Sequence, residues 1–149
     1  MAAGTLLTGM AAVSAPAGAT VTAAPSAKAP AAAAAAHNWT PYNSYSNISA
    51  WGTYTRSGGS VYVKGYLADG KKNGWTACVR FLFTEGNTRY WSRHKIVGVD
   101  RYGNEYNYDG AAKVSIKTSS KYSSHLYVQE CGRNKKTGKY VYGKSKKLF

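Results

Sequence analysis

"WTACVRFLFTE" (75–85) decides the fold. Trp75, Ala77, Val79, Phe81 and Phe83 recur at every second position, while Thr76, Cys78, Arg80 and Leu82 fall between them. A period of two over so long a run predicts a β-strand with one apolar and one mixed face. The glycine- and asparagine-rich "DGKKNG" (69–74) before it and "EGN" (85–87) after it predict turns.

The same period continues on both sides. "SVYVKGYLAD" sets Val61, Val63 and Leu67 against Tyr62, Lys64 and Tyr66. "AAKVSIKT" sets Ala112, Val114 and Ile116 against Lys113, Ser115 and Lys117. "SSHLYVQEC" sets Leu126 and Val128 against His125, Tyr127, Gln129 and Cys131. In "TRYWSRHKIV" both faces carry aromatics and the core face is ambiguous. With "ISAWGTYT" at the front and "KYVYGK" at the end, about seven short strands are expected, with no sustained helical period. The fold class is all-β, a small antiparallel sandwich or open barrel.

Domain organisation follows from composition. Residues 1–36 read as a signal-peptide apolar region ("LLTGMAAVSAPAGATVTAAP") followed by an Ala/Pro linker. That implies a secreted, extracellular product whose mature chain starts near His37. No other apolar run has the length of a transmembrane span. Residues 37–49 are an extended lead segment with aromatic anchors Trp39, Tyr42 and Tyr45, next to Trp51. Residues 50–149 form a single β-domain. A domain this small benefits from a covalent staple. Cys78 and Cys131, 53 residues apart in an oxidising compartment, supply a disulfide contributing about 4 kcal/mol. The pairing makes their two strands close neighbours, in one sheet or across two.

The net charge is +14, from 14 lysines and 6 arginines against 6 acids, so anionic polymers and surfaces are attracted. Lys71, Lys72, Lys135, Lys136 and Lys139 sit at or beside turn tips and form a basic surface. Lysines on edge strands also block sheet-to-sheet pairing. Lysine excess over arginine suits diffuse electrostatics rather than bidentate phosphate reading, and no nucleic-acid recognition signature is present, so nucleic acid is disfavoured as a partner. Tyrosine interleaved with lysine, as in "VYVKGY" and "KYVYGK", suits stacking on bases or sugar rings beside anionic groups.

Catalytic signals are weak. His94 and His125, with Glu85, Glu105 or Glu130, hold the ingredients of a small secreted ribonuclease, but no local motif fixes them. There is no GxSxG elbow and no HExxH. Asp100, Glu105 and Asp109, with Asn104 and Asn107, lack the spacing of an EF-hand loop. No metal or cofactor is called for.

The Ala-rich leader, the Tyr/Gly/Lys-rich mature region and the frame "WTACVRF…HLYVQECGRNKK" resemble small exported proteins of actinomycetes, particularly streptomycetes, and among them the adaptor subunit of umbrella toxin particles. The resemblance implies a compact, non-catalytic β-domain that links a stalk-forming toxin subunit to a lectin-bearing subunit. It also implies docking through an N-terminal segment, here "HNWTPYNSYSNISAW" (37–51). The first expectation is therefore a protein-binding adaptor in an extracellular assembly, whose thermal transition survives deletion of 37–49. The alternatives are a cationic binder of an anionic cell-envelope polymer, with antibacterial effect, and the ribonuclease.

Overall fold

A computed structural model describes residues 34–98 and 113–149. The acidic stretch 100–109 and the leader up to residue 33 lie outside the described residues. Nine strands occur among the described residues: β1 (Ala36–Trp39), β2 (Ile48–Ser57), β3 (Ser60–Asp69), β4 (Trp75–Glu85), β5 (Thr88–Trp91), β6 (Lys95–Ile96), β7 (Lys113–Ser120), β8 (His125–Asn134) and β9 (Tyr140–Lys147). They form two antiparallel sheets, β1-β2-β3-β7 and β5-β4-β8-β9, with β6 also paired to β4. The fold is a small β-sandwich. The count exceeds the expected seven because "TRYWSRHKIV" divides into β5 and β6, and because β1 comes from the lead segment.

Alternation fills the space between the sheets as the sequence dictates. Val61, Val63, Leu67 and Ile116 of the first sheet face Ala77, Val79, Phe81, Phe83, Leu126 and Val128 of the second, all buried. The outward partners Tyr62, Lys64 and Tyr66 are exposed. Asp69 fastens the crossover from β3 to β4. Its buried carboxylate accepts the Ala77 N–H (2.9 Å) and the Lys71 N–H (3.1 Å). Such charge-assisted bonds hold a sheet-switching turn more firmly than neutral ones.

The lead segment is not detached. Ala36 to Trp39 pair with Gly52 to Thr55, and the Trp39 side chain enters the core at 2 % exposure. It lies over Gly65, where an added Cβ would stand 2.6 Å from Trp39 Cζ2. Its indole N–H donates to Lys64 O (3.0 Å). Gly65 therefore makes room for Trp39, while its partner Gly52 is required by the close backbone of Lys64 and Gly65 on β3, approaches that only glycine permits. Ile48 is buried as well. The domain includes part of the segment assigned to docking, and Trp39 is a core residue rather than a free anchor.

Cys78 and Cys131 face one another in register on β4 and β8 and are bonded, with 4.8 Å between Cα atoms. The disulfide joins neighbours within one sheet, which decides between the two arrangements left open by the sequence. Its sulfurs lie on the face of Arg80 and Gln129, away from the core.

Candidate functional site

The outward face of the second sheet carries the most organised exposed side chains among those described. Arg80 projects from the middle of β4, opposite Gln129 of β8. Its Nε donates to Gln129 Oε1 (2.8 Å), and Gln129 Nε2 donates to Gly143 O (2.8 Å). The guanidinium lies between two rings, 3.9 Å from the Trp91 centroid and 4.0 Å from that of Tyr142. Each such contact contributes about 0.5–1 kcal/mol at an exposed site. Trp91 is 36 % and Tyr142 is 41 % exposed, so both rings of the clamp remain accessible at the surface.

Local irregularities create this arrangement. β5 ends at Trp91, and buried Ser92 substitutes for a strand residue: its N–H donates to Phe81 O, while its hydroxyl accepts the Phe81 N–H. The chain then passes His94 before rejoining β4 as β6. Along β8–β9 the register shifts between Gln129 and Cys131, so that Gly143 and Lys144 oppose Glu130. The bulge sets Tyr142 opposite Cys131 and lets its ring reach Arg80.

His94 continues the array. Its ring stacks on Tyr140 (4.3 Å, 18°), and its Nε2 lies 3.2 Å from Tyr142 Oη. Burial, and second the charge of Arg80, hold its pKa below the ordinary histidine value. It is therefore neutral at physiological pH. Arg133 closes the far end, 6.0 Å from the Tyr140 centroid.

Behind this face, Glu130 points inward with no accessible surface. It accepts the Ser44 N–H (2.6 Å), and its other oxygen, Oε1, has no partner among the described residues. Burial raises its pKa above the usual carboxylate range, against the opposing pull of Ser44. The segment that supplies this N–H also passes close to Gly143 on β9, through Ser44 and Tyr45.

The residues expected to bind a partner do not converge. Trp39 is in the core, Tyr45 packs against it, and Tyr42 (56 % exposed) lies near Lys146 on β9. Trp51 stands on the opposite outer face, beside Tyr66. The basic turn tips do converge: Lys135 N–H donates to Gly74 O, bringing the turn of Lys71 and Lys72 against that of Lys135, Lys136 and Lys139. The His94/His125 pair is not assembled. His125 opposite Thr84 lies six residues along β8 from Cys131, the partner of Tyr142, so about 20 Å separates the two regions. Glu85 is occupied by the Ser123 and Ser124 N–H groups, and Glu130 faces the interior. Among the described residues, no three His, Cys, Asp or Glu side chains group as a metal site, and no helix is long and apolar enough to cross a membrane.

The sequence marked Arg80 as outward-facing but did not connect it to Trp91 or Tyr142. The available signal was the arginine on a strand face between two aromatic strands. Comparison with protein-family models, with curated proteins and with known structures gave no match.

Proposed function

We propose that this chain is a secreted, non-catalytic binding domain that acts as an adaptor in an extracellular protein assembly, docking through the outer face of its second sheet. The observation that carries this reading is the Arg80 guanidinium held between the exposed rings of Trp91 and Tyr142. Trp, Tyr and Arg are the residues that dominate protein–protein hot spots. Here Arg80 is held before binding by Gln129 and Tyr142 by His94, which lowers the ordering cost of association. The umbrella-particle resemblance agrees in kind, since it too implies a non-catalytic linker. The docking surface, however, moves from the lead segment to β4, β5 and β9.

The test is capture of a partner from the producing organism's culture supernatant by the immobilised full chain, at low and high salt. A protein retained at high salt and lost with Trp91→Ala or Arg80→Ala supports the reading; truncation of a hot-spot residue costs at least about 2 kcal/mol. Equal capture by wild type and both variants overturns it.

A further inference from the structure

The first sheet has an outer face of different chemistry, on the far side of the sandwich from the Arg80 clamp. Its register places side chains in rows. Trp51, Tyr66 and Ser115 are successive cross-strand partners on β2, β3 and β7; so are Thr53, Lys64 and Lys117, and then Thr55, Tyr62 and Ser119. An aromatic row, a lysine row and a second aromatic row thus follow one another down the sheet. Trp51 and Tyr66 lie 5.9 Å apart between centroids, and Lys113 Nζ sits 4.6 Å from the Tyr66 ring. Tyr62 is four residues from Tyr66, about 13 Å along β3.

Three shallow depressions run contiguously along this face. One is lined by Trp51, Tyr66 and Lys64, the next by Lys64, Lys117 and Tyr62, and the last by Tyr62, Ser119 and Lys121. Lys64 and Lys117 belong to both of the first two.

The lysine row is adverse for the free fold. Like charges directly opposite one another across neighbouring strands are destabilising. Of the three acids among the described residues, Asp69 and Glu130 are buried and Glu85 pairs with Ser123 and Ser124 beyond the end of β7, so none compensates this row. The charge is complementary to an anion lying across β3 and β7. The flanking rings and the hydroxyls of Ser115 and Ser119 fit flat, hydroxyl-rich units on either side of it.

We propose that the outer face of the first sheet binds an anionic glycan: pyranose rings stack on Trp51–Tyr66 and on Tyr62, and a carboxylate or phosphate carried between them bridges Lys64 and Lys117. This site is independent of the protein-docking face, so either can fail without the other.

The test is titration calorimetry of the full chain with hexagalacturonate (carboxylate), a phosphodiester-linked hexose oligomer (phosphate), neutral cellohexaose and an oligothymidylate. One or both anionic sugars should bind, with the neutral one much weaker, and which of the two binds identifies the anionic group. Lys64→Gln/Lys117→Gln should weaken binding at least about tenfold, since two charge-assisted bonds are lost. The same variant should melt no lower than wild type, because a repulsive pair has been removed. Trp51→Ala should weaken binding of the same sugar while leaving partner capture through Arg80 intact. Failure of both anionic sugars to bind, unchanged affinity in the lysine variant, or tighter binding of oligothymidylate than of either sugar overturns the proposal.

Discussion

The Trp39 indole meets the Phe81 ring edge-on, 5.0 Å between centroids at 85°, and so joins the first sheet's edge strand to the centre of the second. Trp39→Ala should destabilise the fold by about 3–5 kcal/mol, because the cavity lies between two sheets that cannot both collapse into it. Deletion of 37–49 removes Trp39 and Ile48 together, so it should lower the thermal transition, contrary to what the sequence alone suggests. Urea denaturation of Trp39→Ala checks this: an unchanged midpoint would place the indole outside the core. Gly65→Ala, by crowding the same ring, should also lose stability.

Replacing both cysteines by alanine should lower the unfolding free energy by about 4 kcal/mol from the 53-residue loop. The bond links strands already paired from Trp75 to Thr84, so the folded sheet should persist with its ladder intact. Denaturation under oxidising conditions, with circular dichroism of the variant at low temperature, measures both effects. Loss of sheet structure at all temperatures would mean that the bond is needed to form the pairing.

Glu130 gives a pH dependence of defined sign. Its folded pKa is raised by burial, so the native state holds the proton more tightly than the unfolded chain. Its contribution is fully present below the unfolded pKa of about 4.3 and is lost as pH rises through the folded value. Glu130→Gln keeps an acceptor for Ser44 and removes the buried charge. It should be more stable than wild type near pH 7, with the difference shrinking as the pH falls towards 4. A difference independent of pH would show that the carboxyl does not titrate on unfolding.

Most of the sandwich was legible because the alternation at 61–67, 75–83 and 126–128 has one solution for which face is buried. The strand positions of Cys78 and Cys131 likewise required adjacency. Two things were hidden. Trp39 lies in a polar, aperiodic stretch, and only Gly65, distant in sequence, reveals where its ring goes. The Arg80 clamp depends on a bulge opposite Glu130 and on Ser92 standing in for a strand residue. Each shifts register by local hydrogen bonding, which hydropathy does not record.

That clamp makes the last prediction. His94 is held below its ordinary pKa by burial first and by Arg80 second. Since a depressed histidine pKa means that the unfolded chain takes up the proton first, its contribution to stability is present above about pH 6.5 and declines as the pH falls. This is opposite in sign to the Glu130 effect, so each must be read as a difference between variant and wild type. The His94 ring resonances should titrate below the free value in wild type. In Arg80→Gln, which keeps a polar side chain without the charge, the midpoint should move upward but stop short of the free value, since burial remains. In Tyr140→Ala, which uncovers the ring stacked at 4.3 Å, the midpoint should rise further. A midpoint unmoved by either change would mean that His94 does not pack within the array, and the rigid surface assigned to partner docking would lose its support at that end.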